Sequence, residues 1–114
     1  MKVARHADIK PYEAPGHFDM RALRVHGPDT GCGSEQLILG LSYFLPGGGA
    51  SAAPVPAGWE LIYYIVEGEM TVKTTDETIV IKKGDSIFFK AGDVRESKNE
   101  TNDPAQMLVI IAKK

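Results

Sequence analysis

Residues 59–98 read WELIYYIVEGEMTVKTTDETIVIKKGDSIFFKAGDVRESK, and the fold is decided there. WELIYYIV (59–66) is apolar on both faces, the pattern of a central strand covered on each side. EMTVKT (69–74) and ETIVIKK (77–83) flank Thr75-Asp76 and predict a hairpin, with Met70 and Val72 in register to meet Ile79 and Ile81. Lys83-Gly84 leads into DSIFFK (85–90), and Ala91-Gly92 separates that run from DVRESKN (93–99). Side chains alternate along extended chain, so short runs of this kind are strands.

The same pattern extends to both ends of the chain. AQMLVIIAK (105–113) follows the turn Asn102-Asp103-Pro104, while QLILGLSYFL (36–45) places Leu37, Leu39, Leu41, Tyr43 and Leu45 on one face. MRALRVH (20–26) is one more strand, preceded by the Pro- and Gly-bearing segment IKPYEAPGHF (9–18). No amphipathic helix of ten or more residues is visible, and glycine (12) and proline (7) punctuate the chain throughout. Short strands must close on themselves or pair to hide their edges, so the expected fold is all-β, an antiparallel barrel or sandwich. Residues 1–19 are expected to form an arm packed on the barrel or on a partner subunit, and residues 20–114 the barrel domain.

Composition bounds the function. A chain of 114 residues suits a single core. With 43% hydrophobic and 25% charged residues it has the composition of a soluble globular protein. No apolar run approaches the ~18 residues of a membrane span, and MKVARHADIKPY lacks the apolar region of a signal peptide, so a cytoplasmic protein without a membrane partner is expected. A net charge of −2 with interspersed signs offers no basic stripe for nucleic acid. The single cysteine, Cys32 in DTGCGSE, excludes an internal disulfide and a cysteine metal cluster, and reads as a loop thiol.

PGGGASAAPVPAGWELIYYIVEGEMTV (46–72) and IKKGDSIFFKAGDVRESKN (81–99) resemble the two characteristic motifs of the cupin superfamily. The resemblance rests on Pro46-Gly47-Gly48-Gly49, the turn Glu67-Gly68-Glu69, Gly84-Asp85, Gly92 and Asn99, with Lys90 in place of the motif's proline. It implies a single cupin-like antiparallel β-barrel of the jelly-roll type. It also implies where a metal would sit, and there the sequence departs from the family. The two histidine ligands fall at Val55 and Ala57, or with the longer spacer at Pro54 and Pro56. The glutamate falls at Leu61 and the third histidine at Arg95. A guanidinium offers a metal no lone pair and repels it, so neither a metal nor another cofactor is expected in the usual position.

The remaining candidates follow from the inside-outside alternation that the resemblance implies. Leu61, Tyr63 and Ile65 are expected to point inward, making a mostly apolar pocket in which Tyr63 orients a ligand or acts as a weak acid, or else is a core aromatic bonded to backbone. Trp59, after the flexible run GGGASAAPVPAG, either stacks on a ligand at the pocket mouth or caps the core. Arg95, buried where the family keeps a metal ligand, needs a partner: an anionic ligand, Glu60 or Glu96, or solvent. Glu60 is a candidate general base if desolvated, and inert if exposed. Asn99 either touches ligand or braces its strand.

Together these point to a metal-independent protein that binds a small anionic or aromatic compound through Trp59, Tyr63, Arg95 and Asn99. Glu60, Tyr63 and Arg95 are the catalytic candidates for proton transfer of isomerase, lyase or decarboxylase type. The alternatives are a metal-dependent oxygenase or isomerase with displaced ligands and a non-catalytic binding module. The resemblance and the arm, whose Tyr12 and Phe18 need cover, also suggest a homodimer.

Overall fold

The computed structural model describes residues 1–30 and 33–114; Cys32, read above as a loop thiol, lies outside them. Among the described residues eight strands follow a 3-10 turn at His6–Asp8: β1 (His17–His26), β2 (Leu37–Pro54), β3 (Trp59–Glu67), β4 (Glu69–Thr74), β5 (Thr78–Lys82), β6 (Ser86–Lys90), β7 (Val94–Lys98) and β8 (Ala105–Lys113). They pair in the order β5-β4-β7-β2-β8-β3-β6, with β1 added to β2, and every pairing is antiparallel. The sheet rolls into a jelly-roll β-barrel.

The long strand β2 makes the roll possible. Its first half, Leu37 to Phe44, pairs with β8, and its second half, Gly49 to Pro54, pairs with β7. The change of partner falls at Gly47-Gly48-Gly49: Gly47 takes a positive φ (+85°), and at Gly48 and Gly49 neighbouring backbone comes too close for a side chain. A Cβ on Gly48 would overlap the carbonyl oxygen of Asp19, and one on Gly49 that of Ser97. The run GGGASAAP, part of the stretch GGGASAAPVPAG expected to be flexible, is strand as far as Pro54, with Gly49, Ala50, Ala53 and Pro54 paired to β7 and Gly49 and Ala50 to β1. β1 begins at His17, three residues before the boundary suggested by MRALRVH, because Pro15-Gly16 turns the chain into it (Gly16 φ +72°).

The β4–β5 hairpin has the register the alternation predicts, Met70 opposite Ile81 and Val72 opposite Ile79. Gly68 turns β3 into β4 at φ +79°, with the Pro104 carbonyl so near that no Cβ fits. The core is built from the inward positions: Leu61, Tyr63 and Ile65 of β3, Met70 and Val72 of β4, Phe89 of β6 and Met107 of β8. In the first half of β2 the buried residues are Ile38, Ser42 and Phe44, so the leucine-rich parity set Leu37, Leu39, Leu41, Tyr43 and Leu45 lies on the opposite, outer face.

Candidate functional site

Inside the barrel is a cavity of about 120 Å³. Its walls are apolar, from Leu61, Phe44, Met107, Val109 and Ile111, and its polar groups come from Ser42, Tyr63, Arg95, Ser97, His17 and Arg24. Larger hollows exist, among them one of about 480 Å³ between the N-terminal arm and β1. It is an open groove along the arm, whereas in the barrel a few polar groups converge within an apolar wall, which is how ligand sites are built.

β7 brings Arg95 to the cavity. Its register with Ala53 of β2 and Thr74 of β4 sets Arg95 and Ser97 on the inward side. The guanidinium is held at two points: Nη1 donates to the Ala53 carbonyl at 2.7 Å, and Nε donates to the Tyr63 hydroxyl at 3.3 Å. Tyr63 is fixed in turn by an edge-to-face contact with Phe89, ring centroids 5.2 Å apart. Among the described residues the ion pairs are Arg24–Asp29 and Lys83–Glu67, so neither Glu60 nor Glu96 neutralises Arg95. A guanidinium carries five N–H donors, and two anchors leave the rest of the fork for a ligand. Because Tyr63 accepts from Arg95, its own proton is available to donate.

The other sequence candidates fall elsewhere. Glu60 is exposed on the outer side of β3, in register with Lys90, one residue out of phase with Leu61 and Tyr63. Trp59 packs against the core with Lys113 Nζ 4.9 Å from its ring centroid, and it does not line the cavity. Asn99 is fully buried, and its side chain is spent on the scaffold. Nδ2 donates to the carbonyls of Phe44 (3.2 Å) and Asp103 (2.7 Å), and Oδ1 accepts from Thr101 N (3.0 Å) and Oγ1 (2.7 Å).

Sequence reasoning missed Ser42, Ser97, His17, Arg24 and Tyr12. Ser97 was legible as the residue two beyond Arg95, and Ser42 as the residue two before Phe44. The arm residues were not, since their position depends on a tertiary contact. Tyr12 N donates to the Ala22 carbonyl at 3.1 Å, and the Tyr12 ring lies 4.8 Å beneath the Arg24 guanidinium. Tyr12, Ala14 and His17 thereby come to the cavity of their own chain.

Residues 41–111 match the family described as the Cupin domain, a span that holds both motif segments and the five complete strands β3 to β7. The chain is a member of the cupin family. Like this cupin in sequence is the beta-D-galactosidase Rv1717 of Mycobacterium tuberculosis, 32% identical over 112 residues, covering 98% of this chain and 94% of the relative. In structure the cupin is similar to a predicted oxalate decarboxylase of Thermotoga maritima. That TM-score is 0.81 at 19% identity, over 98% of this chain and 99% of the other. It is also similar to the polyketide cyclase RemF of Streptomyces resistomycificus, with a TM-score of 0.79 at 23% identity over 100% and 80% of the two chains. These structural likenesses speak for the fold.

A metal ion of the kind cupin motifs coordinate does not fit the residues present. Arg95 stands at the third histidine, Leu61 at the glutamate, and the described residues contain no group of three or more His, Cys, Asp or Glu able to hold an ion. A cation beside a fixed guanidinium would be repelled.

Proposed function

We propose that this cupin binds a small organic acid inside its barrel, gripping the carboxylate with Arg95 and Tyr63 and using no metal ion. The observation that carries the reading is the anchored guanidinium of Arg95, directed into an apolar cavity beside a hydroxyl donor and paired with no carboxylate among the described residues. Charge-assisted, bidentate hydrogen bonds gain strength away from water, and an anion relieves the cost of the unpaired cation. A cavity of about 120 Å³ suits a small ligand, from an acid of a few heavy atoms to about one ring, since an apolar cavity of ~150 Å³ accepts benzene.

The chemistry such a site favours is proton transfer next to a carboxylate, of isomerase, lyase or decarboxylase type. Arg95 stabilises developing negative charge and Tyr63 supplies a proton. Glu60 lies on the wrong face to act as base, and His17, exposed with its Nδ1 on the Pro15 carbonyl at 2.9 Å, is the histidine at the cavity that takes that role through Nε2. Hydrolysis of a galactoside, the activity named for the mycobacterial relative, ordinarily needs two carboxylates flanking the bond. No Asp or Glu among the described residues lines this cavity. We further propose that the protein works as a cytoplasmic homodimer. No helix among the described residues is long and apolar enough to cross a membrane.

Calorimetry on protein treated with a chelator tests the reading, with acetate and propionate set against acetamide and propionamide, which match them in shape without the charge. The acids are expected to bind and the amides not. Equal binding of both, binding of neither, or binding restored only by added divalent metal overturns it. A turnover assay on the acids that bind then separates an enzyme from a binding module.

A further inference from the structure

Two serines lie deeper in the cavity than Arg95. Across β2, β8 and β3, Ser42, Met107 and Ile65 form one row, the next inward row beyond Gly40, Val109 and Tyr63. On β7, Ser97 is the next inward residue after Arg95. Two side-chain bonds fix the relative heights of these walls. Arg95 Nε meets the Tyr63 hydroxyl at one level, and Asn99 Nδ2 meets the Phe44 carbonyl at another, one inward residue past each serine. Ser42 and Ser97 therefore share the level in between, on different walls of the same cavity.

Both serines are buried, 6% and 4% exposed, and neither hydroxyl has a hydrogen-bond partner among the described residues. Among the described residues the buried polar side-chain atom sealed off from partner and open space alike is Arg24 Nε, so the two serine hydroxyls open onto the cavity they line. Buried hydroxyls are ordinarily hydrogen-bonded, because an unpaired one is costly. Two of them facing a hollow beside a guanidinium are matched by a ligand that brings the missing partner.

We propose that the ligand of this barrel is a short hydroxy acid, its hydroxyl held by Ser42 and Ser97 while Arg95 and Tyr63 hold its carboxylate; the inference rests on the acid-binding reading above. A ligand hydroxyl suits the pair, since it accepts from one serine and donates to the other. The other groups an acid could carry there are poorly served. An ammonium would meet no carboxylate, as no Asp or Glu among the described residues lines the cavity. A second carboxylate would lack a cation, because Arg24 is ion-paired with Asp29 at 3.0 Å and His17 is exposed. A plain alkyl end would leave both serines unpaired, and a site built around a ligand hydroxyl discriminates against the analogue that lacks it. The spacing also fits. Two residues at ~3.3 Å put the levels ~6.6 Å apart, which a chain of two or three carbons bridges with a hydrogen bond of ~2.8 Å at each end.

Calorimetry on chelator-treated protein tests this with D-lactate, L-lactate and 3-hydroxypropionate, each set against propionate, which has the same carbon count without the hydroxyl. The tightest of the three is expected to bind at least about tenfold better than propionate. Ser42→Ala and Ser97→Ala, which remove an oxygen and add no bulk, are each expected to shrink that ratio, and the double variant to bring it within about threefold of one. Ratios within about threefold of one for all three hydroxy acids in the wild-type protein overturn the inference. So does a preference that survives the double substitution, or 3-aminopropionate binding as tightly as the best hydroxy acid. The wild-type ratios decide the matter even if an alanine variant does not fold. Propionate bound without any hydroxyl preference removes this inference and leaves the acid-binding reading standing, whereas binding of none of these acids removes both.

Discussion

Replacing Asn99 by alanine tests whether the residue carried over from the cupin motif is a brace or a ligand contact. Its side chain has four hydrogen-bond contacts. The one with Thr101 Oγ1 is replaceable, because that hydroxyl lies 3.0 Å from the Asp103 carbonyl and can donate there instead. Three bonds are then lost, to Phe44 O, Asp103 O and Thr101 N. At about 1 kcal/mol net each they amount to about 3 kcal/mol, a large share of the roughly 5–15 kcal/mol that holds a domain together. For a chain of this size the loss corresponds to a fall in Tm of about 12 °C, at about 4 °C per kcal/mol. Asn99→Asp sharpens the test. An ionised carboxylate still accepts from Thr101 but faces the carbonyl oxygens of Phe44 and Asp103 with no proton to donate, so it is expected to cost more than alanine at neutral pH. Thermal and urea unfolding give the values, and calorimetry with a bound acid gives the affinity of the folded fraction. A Tm within about 3 °C of wild type, together with lost acid binding, would show that Asn99 reaches the ligand and that the bonding pattern has been misread.

Arg95→Leu is expected to weaken acid binding by about 1.5–3 kcal/mol, the usual worth of a hydrogen bond to a charged group, since Arg95 is half-buried. Its Tm should stay level or rise, because an unpaired charge leaves the barrel. Arg95→Lys should recover only part of the affinity by calorimetry, since an ammonium cannot hold Ala53 O, Tyr63 and a carboxylate at once. Gly49→Ala should lower the midpoint of urea unfolding by at least about 1–3 kcal/mol in stability, because its Cβ overlaps the Ser97 carbonyl and β2 must part from β7; wild-type stability would mean that the strands have room to separate.

Strand existence and hairpin register were legible because period-two alternation and turn glycines are local properties, written out in WELIYYIV, EMTVKT and ETIVIKK. The inward set Leu61, Tyr63 and Ile65 followed from that parity only with the inside-outside alternation implied by the cupin resemblance. QLILGLSYFL shows what parity leaves open. It separates Leu37, Leu39 and Leu41 from Ile38, Ser42 and Phe44 without saying which set faces the core, and the more hydrophobic set faces out. The extension of β2 through Gly47-Gly48-Gly49 was hidden for a different reason. Glycine and alanine carry no strand propensity of their own, and what makes that run a strand is the approach of β1 and β7 from both sides. The arm's place on the barrel rests on Tyr12 beneath Arg24, a contact with no local signature.

The position of Arg95 explains why the scaffold is kept while the site changes. In the cupin motif this position on β7 points at the centre of the barrel, and whatever stands there sets the charge the cavity presents. A histidine offers a lone pair, whereas an arginine offers only protons, which is why the proposed ligand is an anion and not a cation. Such a change is stable only if the new cation is held. The Ala53 carbonyl holds it at one corner and the Tyr63 hydroxyl at another. Tyr63 lies two residues beyond Leu61, at the next inward position of β3, so the anchor sits next to the place where the motif's glutamate would stand. Losing the carboxylate at 61 matters as much as gaining the arginine. A glutamate there would pair with Arg95, neutralise it and leave nothing for a ligand. Leu61→Glu is therefore expected to abolish acid binding while Arg95 and Tyr63 remain in place. Calorimetry that found the acid still bound to this variant would show that the anion does not depend on an unpaired Arg95.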